Sequence, residues 1–257
     1  MSSNRRADAA WRGLYRWRGV ALVAAAVVAT LWLAATNQLI LYIHPRYVVF
    51  TVIMAVIALA VVVASVAVRG GHDHDEPETR RQKTISLAAI ALSLVVALGL
   101  IVVPPATLTS ATVAQRDINS AGVGADVTSL DEATDGPASA FAEFTVLDWA
   151  SLLRQTTDLA FYADKPVDIV GFVSPDPDDP DNVFYVSRFV ITCCAVDAQP
   201  VGVPIYSPGW RDTVAVDDWV EVTGGFAVNP SSSSTQTIAV VPSAVTPIEE
   251  PDAPYLF

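Results

Sequence analysis

The stretch that decides the fold of the N-terminal part is Tyr47–Val68, which reads YVVFTVIMAVIALAVVVASVAV and contains no charged residue. Because a helix rises about 1.5 Å per residue, some 20 apolar residues cross a hydrocarbon core about 30 Å thick. Two further uncharged runs, Val20–Ile43 and Ile85–Val103, are also long enough. The first run is too long for a cleavable signal peptide, whose apolar stretch spans only about 7–15 residues. The sequence therefore predicts three transmembrane helices over about residues 20–43, 47–68 and 85–103; the alternative is three buried helices of a soluble protein.

Basic residues near the ends of these runs predict the orientation of the chain. Arginines are dense in segment 1–19, and basic residues recur in loop 69–84, whereas the connection between the first two runs offers only Arg46. Cytoplasmic loops carry an excess of Lys and Arg. Both basic segments are therefore expected in the cytoplasm. Three crossings of the cell membrane then place everything after residue 103 on the outside.

The two halves of the chain differ strongly in charge. Residues 1–103 contain 10 Lys and Arg against 5 Asp and Glu, whereas residues 104–257 contain 5 against 22, a net charge of −17. An acidic domain repels phosphate, which argues against nucleic acid as a partner. The three predicted spans contain no Asp, Glu, Lys or Arg, although a transporter usually places such groups or a broken helix in its pathway. The chain is therefore not expected to transport a substrate alone.

The acidic half is predicted to be an extracytoplasmic linker over 104–140, a mostly β domain over 141–250 and a tail over 251–257. The domain begins with a helix over Val146–Gln155, where Thr145 and Asp148 fit a capping box and Phe144 and Trp149 fit the accompanying hydrophobic staple. Five alternating or β-branched runs follow, separated by turns rich in Pro, Gly and Asp. This pattern predicts a small OB-like barrel with one preceding helix. The predicted strands are Val167–Val173, Phe184–Cys193, Val201–Tyr206, Trp219–Phe226 and Thr235–Val241.

The two cysteines of the chain, Cys193 and Cys194, are adjacent. If the strand continues through them, Cys194 shares a face with Arg188 while Cys193 points the other way, so that one thiol is buried and the other presented. Three interpretations stay open: structural packing or a vicinal disulfide, capture of a soft metal ion with Asp197 nearby, and a redox-active thiol. The candidate substrate or metal site is therefore Cys193, Cys194, Asp197 and Arg188.

A second candidate metal site lies in the loop predicted to be cytoplasmic. His72 and His74 alternate with Asp73 and Asp75, and imidazole with carboxylate suits a transition metal ion. The alternative is a solvated polar loop, because ordering a flexible segment around an ion costs entropy.

The acidic tract Pro175–Asp181 admits Ca²⁺ binding or a plain hairpin tip. No nucleotide-binding or hydrolase motif occurs in the chain, and residues 104–257 contain no histidine, the commonest general base. The sequence therefore predicts that the protein is not an enzyme.

The segment Arg188–Gly202, RFVITCCAVDAQPVG, resembles the most distinctive stretch of a bacterial family of two-component membrane permease subunits. The segments Val102–Leu108, Val167–Val173 and Trp219–Gly224 are similar to that family as well. The resemblance implies N-terminal spanning helices, a His-bearing loop and a β-rich outer domain. It also implies a non-catalytic partner of a larger polytopic permease.

Two functions are therefore expected, together with one further possibility. The first is an accessory subunit whose outer domain gates the permease or handles its substrate. The alternative is an extracytoplasmic metal-binding or metal-delivery protein that uses the cysteine pair. An extracytoplasmic thiol enzyme is the third hypothesis.

Overall fold

The computed structural model describes residues 20, 22–68, 84, 88, 91, 92, 95, 96, 99, 107–119, 128–135 and 138–257. The chain divides into two compact units, Met1–Ala106 and Thr107–Phe257. The predicted cytoplasmic N-terminus and nearly all of loop 69–84 lie outside the described residues. The described positions between 84 and 99 are all helical.

One segment of the described N-terminal unit, Pro45–Ser65, is long and apolar enough to cross a membrane, with 21 residues and a mean hydropathy of 2.9. Its body is helix α2 (Val48–Val68), close to the predicted second span. The first run forms a shorter helix, α1 (Leu22–Ala35). The predicted helix through residue 43 ends early, because Asn37 adopts a left-handed backbone with φ 58° and the chain tightens into a 3-10 turn at Leu39–Leu41. Three transmembrane helices therefore remain a prediction.

The C-terminal unit is mostly β, as predicted, with short helices before the sheet. Its helices are α3 (Ser110–Val113), α4 (Leu130–Asp135), α5 (Val146–Gln155) and α6 (Leu159–Tyr162). Its strands are β1 (Val167–Pro175), β2 (Val183–Val190), β3 (Gln199–Tyr206), β4 (Trp219–Val228), β5 (Ile238–Ile248) and β6 (Tyr255–Leu256).

The first five strands close on one another. β1 pairs antiparallel with both β2 and β4, β2 pairs antiparallel with β3, and β4 pairs antiparallel with β5. A parallel contact between Ile205 of β3 and Val240 of β5 completes the ring. The sixth strand was not predicted; it adds parallel to the end of β2 through Phe189 and Val190.

Helix α5 covers the core of this ring and begins as predicted. The Asp148 carboxylate accepts hydrogen bonds from the Thr145 backbone N–H at 2.8 Å and from the Thr145 hydroxyl at 2.7 Å. The rings of Phe144 and Trp149 meet edge to face with centroids 5.2 Å apart. Trp149 is completely buried in the core cluster, so the capping box and the staple fix the helix against the barrel.

The first described stretch of the predicted linker, residues 107–119, packs on the barrel. We call residues 107–119 the strap. Its backbone donates from Leu108 to the Tyr255 hydroxyl at 3.0 Å and from Ser110 to an Asp217 carboxylate oxygen at 2.7 Å. The strap therefore belongs to the C-terminal unit.

Candidate metal site

The cysteines lie in a turn and not in a strand. β2 ends at Val190, and the next backbone N–H, of Ile191, donates to the Leu256 carbonyl at 2.9 Å. A single 3-10 turn, Ala195–Asp197, precedes β3. The predicted continuation of the strand to residue 193 is therefore wrong. We call residues 192–197 the cysteine turn.

Asp197 organises the cysteine turn by accepting three backbone N–H groups. One carboxylate oxygen accepts from Thr192 at 3.1 Å, and the other accepts from Cys193 at 2.8 Å and from Cys194 at 3.2 Å. The Asp197 backbone N–H closes the turn by donating to the Cys194 carbonyl at 2.9 Å. These amides bond to a side chain three to five residues ahead, so they cannot pair with a neighbouring strand, which explains why β2 stops.

Three metal-ligating groups converge in this turn. One ligand atom from each of Cys193, Cys194 and Asp197 lies within 4.8 Å of the other two. Among the residues that the structure describes, this is the single such group of three. Both cysteines are thiols; Cys193 is exposed and Cys194 is half-buried. The expectation that one thiol is buried is wrong, because strand alternation does not extend into the turn.

Arg188, the fourth predicted site residue, is used elsewhere. Its Nε donates to the Pro254 carbonyl at 3.1 Å, and its Nη2 donates to the Ala253 carbonyl. Its guanidinium also lies over the Trp219 ring, 5.4 Å from the centroid. Burial lowers the pKa of Arg188 from its usual value. The structure therefore commits Arg188 to holding the C-terminal segment and brings the other three predicted residues together.

Two strap residues that the sequence did not indicate contact the cysteine turn and the strand after it. Arg116 donates from Nη2 to the Val196 carbonyl at 3.2 Å. Asn119 pairs with the Gly202 backbone in both directions, donating to its carbonyl at 2.8 Å and accepting from its N–H at 2.9 Å. The available signal was Gly202 itself, since a glycine inside a strand often marks the close approach of another segment.

Comparison with known proteins places both units in one family. Residues 18–119 match the DUF1980 N-terminal domain, and residues 143–257 match the DUF1980 C-terminal domain. The chain belongs to the DUF1980 family. No curated protein matches it. The cysteine turn lies within the DUF1980 C-terminal domain, whereas the strap lies within the part that matches the DUF1980 N-terminal domain.

The acidic tract of the DUF1980 C-terminal domain forms a clasp between two turns. Asp176 and Asp179, in the β1–β2 turn, are buried and accept from the hydroxyls of Ser234 at 3.0 Å and Ser231 at 2.5 Å, in the β4–β5 connection. Asp178 accepts from the Thr235 hydroxyl at 2.9 Å. These carboxylates are thus occupied by donors of the protein, which favours the structural interpretation over a Ca²⁺ site.

The second candidate metal site of this DUF1980 protein is not described by the structure. His72, His74, Asp73 and Asp75 lie outside the described residues. That prediction stays a prediction.

Proposed function

We propose that this protein is a non-catalytic accessory subunit of a membrane permease, whose outer domain binds a thiophilic metal ion and delivers it to or receives it from the permease. One observation carries the metal-binding part of the proposal: two thiols and a carboxylate lie within 4.8 Å of one another in an accessible turn. Thiolate ligands select soft ions such as Cu⁺ and Zn²⁺ over Mg²⁺ and Ca²⁺.

The number of ligands favours exchange of the ion over permanent storage. A structural zinc site is closed by four protein ligands, whereas an open site leaves a position for another group. Asp197 already accepts three N–H bonds, and a carboxylate offers only about four lone-pair sites. The two thiolates therefore provide most of the binding, and the remaining coordination positions face solvent or a partner.

The barrel topology supports an OB-like assignment of the outer domain. The ring runs β1-β2-β3-β5-β4 and returns to β1, with a single residue pair between β3 and β5, which fits the five-stranded, partly open barrel of that fold. In this proposal the barrel presents the cysteine turn between β2 and β3. Oligonucleotide binding, which some OB folds perform, is not expected of this domain, because its half of the chain carries a net charge of −17 and repels phosphate.

Attachment to a membrane and to a permease is supported by the helix surface and by charge. The large side chains of α2 are mostly exposed, including Val49 at 69% and Phe50 at 63%, and such a surface favours lipid or another protein as its neighbour. None of the predicted spans carries an ionisable Asp, Glu, Lys or Arg. These features fit a subunit that accompanies a transport pathway formed by another chain.

Metal titration of the full chain in detergent tests the metal-binding part. We expect Cd²⁺ to give a thiolate charge-transfer absorption band that saturates at one ion per chain, and Cys193→Ser and Cys194→Ser to abolish it. Asp197→Asn is expected to weaken binding by about 10-fold or more, the usual effect of losing a group that orients the ligands. Asp212→Asn is the matched control, because Asp212 also ends a single 3-10 turn, Trp210–Asp212. A wild-type chain without the band contradicts the proposal.

Purification from native membranes tests the accessory role. The full chain, recovered in mild detergent, is expected to carry a polytopic permease at a fixed ratio. Recovery of the chain alone, after crosslinking in the intact membrane, would contradict a permanent subunit. That outcome would leave the metal site itself unaffected.

A further inference from the structure

Arg116 contacts the cysteine turn from outside the barrel. Its Nη2 donates to the carbonyl of Val196, which lies between Cys194 and Asp197 in the 3-10 turn. Its Nη1 is buried and finds no hydrogen-bond partner among the described residues. The hydrogen bond to the Val196 carbonyl therefore ties the Arg116 side chain to the cysteine turn.

The residues after Arg116 anchor the strap on β3. The Asn119 backbone N–H donates to the Pro200 carbonyl at 3.1 Å, and its side chain pairs with both backbone groups of Gly202. Asn119 has a left-handed backbone with φ 59°, which asparagine tolerates better than most residues. Ile118 lies so close over Gly202 that a Cβ there would be only 2.6 Å from its Cδ1. The strap can therefore pack closely on β3 because Gly202 has no side chain to contact Ile118.

The strap thus holds the turn at two successive points of the chain. Arg116 fixes a carbonyl within the cysteine turn, and Asn119 fixes the strand that begins directly after it. The sequence separations are 80 residues for Arg116 and Val196 and 83 for Asn119 and Gly202. The strap also begins at the boundary of the two compact units.

We propose that Arg116 is a positioning residue for the metal site. By holding the Val196 carbonyl it keeps the 3-10 turn closed, so that Asp197 retains its three amides and both sulfurs stay directed at one ion. This inference rests on the proposed metal-binding function. It makes the affinity for the ion depend on whether the strap is docked on the barrel.

Amide exchange in the metal-free full chain tests the positioning without any metal. The backbone N–H groups of Cys193 and Cys194 donate hydrogen bonds to the Asp197 carboxylate. In Arg116→Gln we expect these two amides to exchange about tenfold faster, which is the effect of losing about one hydrogen bond. Arg211→Gln is the matched control, because Arg211 also donates from Nη2 to a carbonyl, that of Pro180, at 3.3 Å. Unchanged exchange in Arg116→Gln overturns the inference.

Cd²⁺ titration of the same variants tests the consequence. We expect Arg116→Gln to lose about 10-fold or more in affinity, as for other groups behind the ligands, and Arg116→Lys to recover part of it because one donor is restored. Arg211→Gln is expected to bind as the wild type does. Equal affinity in Arg116→Gln and wild type overturns the inference and leaves the proposed function standing. A wild type that binds no Cd²⁺ overturns the proposed function, while amide exchange still decides the role of Arg116.

Gly202→Ala provides an independent variant in which residue 116 is still arginine. The added methyl group would lie 2.6 Å from Ile118 Cδ1, so Ile118 must shift, and the strap that carries it is expected to move away from β3. The same faster exchange at Cys193 and Cys194 is expected. Gly225→Ala is the matched control on β4, since nothing lies within 4 Å of a Cβ at that position. Normal exchange and affinity in Gly202→Ala would contradict control of the site by the strap.

Discussion

Single carboxylates at the barrel end illustrate how the environment decides what an acidic residue does. Asp176 accepts from the backbone N–H groups of Asp178 at 2.7 Å and Asp179 at 3.0 Å. Asp179 in turn accepts from the Asn182 amide at 2.8 Å and from the Ser231 hydroxyl. Burial, together with the nearby Asp176, raises the pKa of Tyr185 well above its usual value. The tract therefore joins two turns through carboxylates that accept hydrogen bonds.

The clasp is expected to weaken in acid through Asp179. The hydrogen bond from Ser231 is the main reason that the pKa of Asp179 lies below its usual value. A carboxyl whose folded pKa is depressed stabilises the fold above its unfolded pKa of about 3.9, and this contribution is lost as the pH falls through the folded value. In denaturant unfolding of the full chain, Asp179→Asn should therefore reduce the fall in unfolding free energy below about pH 4.

The neighbouring exposed residue supplies the control for this experiment. Asp181→Asn removes a carboxylate from the same turn without removing a contact to Ser231. Its unfolding free energy should follow pH as that of the wild type does. Identical pH dependence in Asp179→Asn and the wild type would rule out Asp179 as a contributor to acid stability.

Sequence alone identified residues whose partners are near in the chain. Thr145 and Asp148 are three residues apart, so their capping box was predicted and is confirmed by the structure. The grouping of Asp197 with the cysteines followed from the same proximity. Arg116 and Asn119 were missed because their partners are some 80 residues away. A pattern within one segment contains no information about which distant backbone carbonyl it meets.

The strands were predictable where the alternation of apolar and polar residues alone determines them. β1, β3 and β4 begin at or within two residues of the predicted positions. β2 ends before its predicted end because Asp197 takes the amides of the following residues. β5 starts at Ile238 and continues to Ile248, and its last eight residues, VPSAVTPI, pair along β4 despite the two prolines. The two-residue β6 has too little sequence to give a signal of its own.

In the N-terminal unit, one helix was predicted closely and another was predicted too long. Hydropathy predicted α2 closely, since an uncharged run of this length has few alternatives. It overestimated α1, because apolar residues continue to Ile43 while the backbone turns at Asn37. A left-handed asparagine after a helix is a known end signal. The absence of charged residues through Ile43 nevertheless predicted a longer helix.

For the whole molecule, the division of charge and the division of structure coincide. The boundary between the compact units falls after Ala106. It lies close to residue 103, which separates a segment of net charge +5 (residues 1–103) from one of net charge −17 (residues 104–257). Charges near the ends of the apolar runs would then place the first unit with its basic segments in the cytoplasm and the barrel outside. In that arrangement the cysteine turn meets metal ions before they enter the cell.

Thiol labelling of intact cells tests this arrangement, because the chain contains no cysteine other than Cys193 and Cys194. Cys193 is exposed, so a membrane-impermeant maleimide should label the wild type without lysis, and the double variant Cys193→Ser, Cys194→Ser should not be labelled. Adding Ser3→Cys to that double variant puts one thiol in the basic N-terminal segment, which should react only after lysis. The reverse pattern, with Cys193 protected until lysis and residue 3 labelled on intact cells, would invert the topology. It would place the proposed metal site in the cytoplasm, where an ion could be received only after it had crossed the membrane.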